Sequence, residues 1–555
     1  MKQLNYHIIG KRRSGLMTIV IEVFLLILSA LIFSAAFPGF ISNKGIGILG
    51  FIALIPMFAV LRNTSWVRAP FYGFLFGFIF FIFFNYWLAS FHPLAVYIAP
   101  IIMGTEMIIL FPILKAADKI FPKYGFLLQL IIWVGYEYLK TLGFVGYPYG
   151  IVGYSQYVFI PFIQISSIFG IWGVTLMTVF PSIILSRHVA DWLVGKREKF
   201  TQFIKTYKFI WIGYGVLFAA ALLFGFISIS RLNNEVPDRV WRPALIQHNA
   251  DSWEGGIVNW RKNLHTLMDQ SNLALAEDPD IVIWSETAFV ISVYWHTNYR
   301  TSPASYAVVE EFVNFANNLP VPLLTGNNDN RLEKPDLPPV LSDGSLNRED
   351  HNAVILYENG GLKDIYWKQN LVPFTEGFPY GDIFPGFNAL LLANDYHYWI
   401  PGDDPVVFST EDGMNFSTPI CFEDVFGDLS AKFVQTGADV LVNMTNDSWS
   451  GAVSAQMQHM AMGAFRSVEV GRTSVRGTNS GMTCVIDPAG RVLDIMEPFT
   501  VGYMIPDAPI YTYKDTLYAR WIDWFPKVLI ALSLLLLTAG FIRVVVRKIA
   551  GRRSH

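Results

Sequence analysis

The sequence predicts a polytopic α-helical membrane domain of about eight spans carrying one extramembrane α/β domain. The composition points there first: of 555 residues, 53% are hydrophobic and only 15% charged, against about a quarter charged in ordinary soluble proteins. The apolar residues are also unevenly distributed, forming long runs in 1–231 and 524–547 while 232–523 has ordinary soluble composition. Within that middle block, short β-branched runs alternate with amphipathic helical patterns, the signature of a layered α/β domain.

A bilayer core about 30 Å thick needs about 20 apolar residues in a helix. Runs at 16–37, 46–62, 70–91, 94–114, 125–142, 158–186, 209–230 and 525–546 meet that need, the second being short. The first run is long and further spans follow it without a small-residue cleavage site, so it is read as a span and not as a cleaved signal peptide. Lysine and arginine set the orientation. Lys11, Arg12 and Arg13 precede the first span, Arg62 and Arg68 follow the second, and Lys115, Lys119 and Lys123 follow the fourth. Lys196, Arg197, Lys199, Lys205 and Lys208 follow the sixth, and Arg547, Lys548, Arg552 and Arg553 end the chain. All fall on one side if both termini are cytoplasmic, and seven spans before residue 232 then put the large block outside. The expected organisation is 1–231 with seven helices, 232–523 as the extracytoplasmic domain, and 524–555 as a last helix with a basic tail. The net charge of −3 averages two environments and discriminates nothing.

In the extramembrane block the expected strands are Pro243–Gln247, Asp280–Trp284, Val321–Leu324, Ala353–Tyr357, Pro405–Phe408, Met414–Ile420, Val440–Asn443, Arg472–Val475 and Met482–Ile486. Helical patterns cover 257–276, 304–318, 428–436 and 453–470. The stretch Asn328–Asn352, rich in Pro, Asp and Asn, reads as an exposed insertion or mobile loop.

Three polar residues stand where apolar strands end: Glu286 after Asp280–Trp284, Lys368 after Ile365–Trp367, and Cys421 after Met414–Ile420. A lone cysteine is usually a small buried hydrophobe, and a Glu or Lys after a strand is usually solvated. Together, however, they supply thiol acyl chemistry. A thiol needs a base to become the attacking thiolate. The tetrahedral intermediate needs a cation or N–H donors, and the second nucleophile needs a base again. Glu286 can be both bases, while Lys368 and backbone N–H groups after Cys421 can hold the oxyanion. With two cysteines in the chain, a disulfide framework is not expected, and Cys484 sits in a strand as a core residue.

The order Glu–Lys–Cys resembles the nitrilase (carbon–nitrogen hydrolase) superfamily. The surrounding words are more specific: Trp284-Ser285-Glu286-Thr287-Ala288, Lys368 through Glu376, Ile420-Cys421-Phe422-Glu423, Asn446 through Gly451, and Arg472 through Gly481. With the eight-span frame, they are similar to the bacterial apolipoprotein N-acyltransferases across almost the whole chain. The resemblance implies an αββα sandwich for the extramembrane domain and the triad Glu286 (proton acceptor), Lys368 (oxyanion and thioester stabilisation) and Cys421 (nucleophile). Glu376 and Glu423 match acidic residues that support the lysine and the nucleophile region. The resemblance also implies a membrane phospholipid as acyl donor and a diacylated apolipoprotein as acceptor. It further implies a monomer in the bacterial inner membrane, with the catalytic domain on the periplasmic side. The chain departs from the family at Glu137-Tyr138-Leu139-Lys140 and Gly146-Tyr147-Pro148-Tyr149, where Arg and Phe-Pro-Trp are usual, and at Thr375, where Gly is usual.

The segments after the triad residues are apolar for loops: Phe289 to Trp295, then Phe378, Tyr380, Phe384 and Phe387. Exposed apolar patches mark interaction or membrane surfaces, so Phe289, Trp295, Phe378, Tyr380 and Phe384 are the candidate lipid-facing residues. The rival enzyme reading, a membrane-tethered amidase or nitrilase acting on a small amide, predicts a closed polar pocket instead. A transporter would need paired broken helices at the midplane, and the Gly-rich spans form no such pair. Gly45-Ile46-Gly47-Ile48-Leu49-Gly50 opens a span without a preceding strand, so helix packing explains it better than a dinucleotide. Scattered histidines with no paired-ligand motif call for no metal and no cofactor, and no basic patch calls for nucleic acid. Glu22 and Glu106 lie within apolar runs, where an ionisable group defaults to a functional or cavity role, although Glu22 is placed to snorkel.

Overall fold

A computed structural model describes residues 15–91, 93, 95–393, 398–512 and 515–553; the first basic cluster, Lys11 to Arg13, lies outside them. The membrane domain contains α1 Gly15–Ala35, α2 Ile55–Asn63, α3 Arg68–Phe84, α4 Ala95–Ile120, α5 Gly125–Leu139, α6 Ile171–Leu193 and α7 Lys208–Asn234. Among the described residues, five helices are long and apolar enough to cross a membrane: α1, α4, α6, α7 and the C-terminal segment from Trp524 to Arg547. α3 and α5 are shorter apolar helices.

Three of the expected spans are not single helices, and the run 70–91 is α3, a turn at 85–87 and a short helix at 88–91. The run 46–62 is a 3-10 turn, Gly47–Phe51, followed by α2. The run 158–186 breaks at Gly170, whose φ of 64° favours glycine, into short helices at 160–163 and 166–169 and then α6. Hydropathy records only the apolar run, not the left-handed residue inside it. Gly47 and Gly50 press on the Ser155–Gln156 segment, where an added Cβ would lie 2.5 Å from Ser155 O and 2.6 Å from Ser155 Oγ respectively. Glu22 does not snorkel: it is buried, paired with Arg68, and accepts from the Tyr72 hydroxyl at 2.8 Å.

The extramembrane domain has β1 Pro243–Gln247, β2 Ile281–Ile283, β3 Leu323–Arg331, β4 Glu349–Glu358, β5 Gly361–Trp367, β6 Phe408–Ser409 and β7 Asn415–Ser417. It continues with β8 Val440–Thr445, β9 Thr473–Thr478, β10 Cys484–Ile486, β11 Val492–Ile495 and β12 Gly502–Met504. Its main helices are α8 Ile257–Leu275, α9 Pro303–Asn318, α10 Gly427–Thr436 and α11 Val453–Val470, and α12 Trp524–Arg553 closes the chain. One sheet has the order β12-β1-β2-β3-β4-β5 and the other β11-β10-β9-β8-β7-β6. The centre of each is parallel (β1, β2, β3 and β7, β8, β9), with antiparallel strands at the edges.

Alternation along the strands builds three apolar layers. Leu245, Ile283, Leu324 and Leu356 meet Phe416, Val440, Val442 and Val475 between the sheets. The neighbouring Ala244, Ile246, Val282 and Leu323 face α8 and α9 through Leu264, Leu267, Val308 and Phe312. On the far side, Cys484 and Ile486 pack with Met460, Ala464 and Phe465 of α11 in a core continuous with the membrane domain. The result is an αββα sandwich whose second helical layer is seated on the membrane helices.

The stretch 328–352 is not a loop throughout. Its ends belong to the β3–β4 hairpin, pairing Asn328 with Asn352 and Arg331 with Glu349. Asp329, Asn330, Asp350, His351 and Asn352 are buried there; polar composition concealed strands whose side chains hydrogen-bond one another.

Candidate active site

β2, β3 and β8 end at the same edge of the sandwich, and β5, antiparallel to β4 and so co-directional with β3, ends there too. Crevices outside the carboxyl ends of parallel strands are where open α/β sheets bind ligands. Glu286 follows β2, Lys368 follows β5, Cys421 follows β7, and Asn446 follows β8.

Glu286 is held at both oxygens. Asn352 Nδ2 donates to Oε1 at 2.9 Å, and the Asn446 backbone N–H donates to Oε2 at 2.9 Å, tying the ends of the two sheets together. Gly326 of β3 permits this approach, since a Cβ there would lie 2.3 Å from Thr287 N and 2.7 Å from Ser285 O. Lys368, fully enclosed, donates from Nζ to Glu376 Oε1 at 2.8 Å and to Glu286 Oε1 at 3.4 Å. Glu376 is fixed in turn by the Val372 N–H at 2.7 Å.

Cys421 opens a 3-10 turn, Cys421–Val425, with φ +49°, a conformation a non-glycine side chain holds only when its surroundings enforce it. The surroundings are visible. Glu423 accepts from the backbone N–H groups of Ile420 (2.8 Å), Gln369 (2.6 Å) and Asn370 (3.0 Å) and from the Tyr366 hydroxyl (2.9 Å). One carboxylate therefore binds the turn bearing Cys421 to the segment bearing Lys368. From the other side, His459 Nε2 lies 3.1 Å from Cys421 O and 2.7 Å from Asp424, while Nδ1 lies 3.1 Å from Asp447. Arg476 pairs with Asp424.

Burial pushes the Cys421 thiol well above the ordinary thiol range, Glu286 adds to the rise, and Lys368 opposes it. Burial would depress Lys368, but Glu376 and Glu286 outweigh it and keep the ammonium charged. Burial raises Glu423 to about 7 against the N–H donors that lower it. Burial would depress His459 as well, yet Asp424 and Asp447 raise it to about 10. The arrangement is a neutral thiol beside a charged lysine and a carboxylate, with the backbone of Cys421 held from both sides.

A cavity of about 620 Å³ adjoins Phe422. Its walls are the 141–146 turn after α5 and the 369–379 and 398–401 segments after Lys368. Phe144 crosses from the membrane domain to Phe374, Phe378 and Tyr380, with ring centroids 5.4, 6.3 and 5.6 Å away.

Of the candidate lipid-facing residues, Phe378 lines this cavity, and Tyr380 and Phe384 are exposed. Phe289 and Trp295 are not lipid-facing. Phe289 stacks on Phe312 at 4.4 Å in the core under α9. Trp295 is fully buried, its Nε1 donating to Thr301 Oγ1 at 2.9 Å. They follow Glu286 closely in sequence but turn inward, because Asn327 Nδ2 anchors the carbonyls of Phe289 and Ile291. Sequence reasoning missed Asn352, His459, Asp424 and Asp447; a histidine followed by the apolar run Met460-Ala461-Met462 within the helical pattern 453–470 was the available signal for one of them.

Fold and site together define a carbon–nitrogen hydrolase-type domain, with a Glu–Lys–Cys trio, mounted on a membrane domain. Family models agree in both parts: the apolipoprotein N-acyltransferase N-terminal domain matches residues 29–184 and the carbon–nitrogen hydrolase domain matches 244–516. Apolipoprotein N-acyltransferase 1 of Treponema denticola is 36% identical over 91% of this chain and 93% of its own length. Its namesake in Treponema pallidum is 35% identical over 95% and 96%. Among solved structures, a nitrilase-superfamily amidase from Nesterenkonia aligns at 18% identity with a TM-score of 0.35, covering 50% of this chain and 93% of that one. The chain belongs to the apolipoprotein N-acyltransferase family.

Proposed function

We propose that the protein transfers a fatty acyl chain from a membrane phospholipid, through a Cys421 thioester, to the N-terminal amine of a diacylglyceryl-cysteine on an apolipoprotein. The observation that carries this reading is the thiol, carboxylate and buried ammonium at one sandwich edge, beside a cavity that combines apolar walls (Leu142, Phe144, Leu371, Phe378, Phe422) with Asp428 and Asp523 and is walled partly by the membrane domain. A small-amide hydrolase has no use for such a wall.

In the first half-reaction the Cys421 proton passes to Glu286 as sulfur bonds to the ester carbonyl carbon. The oxyanion is held by Lys368 and by backbone N–H groups following Cys421. Collapse expels the glycerol oxygen, which takes the proton back from Glu286 and leaves as lysophospholipid. In the second, the neutral amine attacks the thioester carbonyl, Glu286 accepts its proton, and collapse expels the Cys421 thiolate, which that proton neutralises. Glu376 keeps Lys368 charged and aimed, and Glu423 holds the nucleophile turn. The distribution of lysine and arginine supports a catalytic domain outside the inner membrane with cytoplasmic termini, and one chain supplies the whole trio, so a monomer suffices.

The test gives purified enzyme in detergent phospholipid with or without a diacylated lipopeptide. The scheme requires about one equivalent of lysophospholipid without acceptor and turnover with it. It also requires an acyl adduct on Cys421 by mass spectrometry and no turnover with an N-acetylated lipopeptide. Sustained fatty-acid release without acceptor would mean a hydrolase.

A further inference from the structure

A second cavity, about 390 Å³, lies wholly among the apolar helices, between α4, α5 and α12. Ile109, Leu139 and Leu534 on its walls are exposed, so it opens sideways where lipid surrounds the protein and only membrane-dissolved molecules reach it. Its contents are ordered along the helix axis. At the end nearest the catalytic domain stands Lys140, directly before the turn that walls the first cavity. One turn deeper, Glu106 accepts from the Tyr136 hydroxyl at 3.1 Å, the hydrogen-bond partner of Glu106 among the described residues. Beyond them the lining is hydrocarbon (Ile109, Ile113, Ile132 and Leu537) apart from Ser533, whose hydroxyl donates to Leu529 O at 2.8 Å. A carboxyl facing a lipid-accessible groove is costly unless a ligand uses it.

We infer that this groove binds a lysophospholipid. Three features select it. The apolar strip formed by Ile109, Ile113, Ile132, Leu534 and Leu537 suits an acyl chain. The Glu106 carboxylate accepts from Tyr136 and has lone pairs for a further donor, and a lysophospholipid differs from its parent by one free hydroxyl on the glycerol next to the chain. The Lys140 ammonium lies at the end where the phosphate of such a molecule, oriented with its chain along the helices, comes to rest. Lys140 also donates to Tyr149 O at 2.9 Å, and the Tyr149 ring stacks on Phe422, the neighbour of Cys421. Lys140 lines the groove and the next residue, Thr141, lines the first cavity, so the groove is placed to receive the leaving product of the first half-reaction. This inference rests on the phospholipid-donor reading for its biological sense, but not for its test.

The test uses full-length Cys421→Ala protein in detergent, which cannot react, so binding is read apart from acyl transfer. The probe is a lysophosphatidylcholine with a photoactivatable chain, chosen because its only hydrogen-bond donor is the glycerol hydroxyl. The controls are its O-methyl ether and the diacyl parent. Labelling is expected at Ile109, Ile113 and Leu534, preferring the free hydroxyl by about tenfold, the worth of one hydrogen bond to a charged group. Glu106→Leu should erase that preference. Ile109→Trp, a change at an exposed wall position that leaves the polar groups intact, should block labelling. Equal labelling by the ether, or label spread evenly over α1 and α7, would overturn the inference. A missing acyl adduct in the active enzyme would instead count against the acyltransferase reading alone.

Discussion

Lys368 Nζ sits 2.8 Å from Glu376 Oε1 in a fully enclosed position, so the cation that bears on the Cys421 thiol is held by a carboxylate other than Glu286, the proposed base. In the proposed mechanism, Glu376 takes the shorter contact with Lys368, at 2.8 Å against 3.4 Å for Glu286, so Lys368 can keep its charge while Glu286 exchanges protons. Lys368→Met removes the charged oxyanion partner and should slow Cys421 acylation about 100- to 1,000-fold, read as adduct formation by mass spectrometry. Glu376→Gln keeps an acceptor for the Val372 N–H and should give a smaller loss. An acylation rate in Lys368→Met equal to wild type would remove the lysine from the mechanism.

His459 carries a pH dependence whose sign is fixed. Burial opposes its charge, Asp424 and Asp447 favour it, and its value in the fold is about 10 against an ordinary 6.5. Protonation of His459 thus stabilises the fold fully below about 6.5, and the contribution is lost as pH rises through about 10. Melting temperature should fall across that window in wild type. In His459→Gln the fall should be shallower, and a melting curve with the same pH slope in both proteins would contradict the assignment.

Gly326 is a packing requirement for the base. A Cβ would lie 2.3 Å from Thr287 N, and both neighbours are backbone, so Gly326→Ala must displace the 285–287 segment. Overpacking of this kind costs about 1–3 kcal/mol. The expected outcome is a lowered melting temperature with an acylation rate reduced more than lipid binding, because Glu286 moves and the cavity does not.

The proposed topology is checked by reporter fusions at residues 196 and 340. The exported reporter should be active only at 340 and the cytoplasmic reporter only at 196. Equal signals at both would refute an extracytoplasmic catalytic domain.

Glu286, Lys368 and Cys421 were legible in the sequence because each follows a short apolar strand, and strand ends are where α/β sheets place polar groups. Pro243–Gln247 was legible as a strand, and in the fold Ala244 and Ile246 face the helices while Leu245 faces the other sheet. What was not legible depends on contacts made across the fold. His459 reaches Cys421 O from a helix 38 residues downstream. Phe289 and Phe378 both follow a triad residue, yet one is core and the other cavity wall, a difference set by Asn327 in one case and Phe144 in the other. Gly170 breaks an apolar run that hydropathy reads as continuous.

Phe144 offers a way to separate transfer from hydrolysis. A thioester is resolved by whichever nucleophile reaches it, so acyl transfer requires that water be kept from the cavity. Phe144, on the turn after α5, contacts three aromatic rings of the segment following Lys368, and each such pair contributes about 0.5–1.5 kcal/mol. It touches neither Glu286 nor Cys421 by ring contact or hydrogen bond among the described residues. Phe144→Ala should therefore loosen the wall without removing chemistry: Cys421 should still acylate, while free fatty acid rises at the expense of acylated lipopeptide. Phe144→Leu, which restores apolar volume without the ring edges, should recover part of the transfer. If Phe144→Ala loses acylation outright with no fatty acid released, the ring serves lipid binding, and exclusion of water must be sought elsewhere in the cavity.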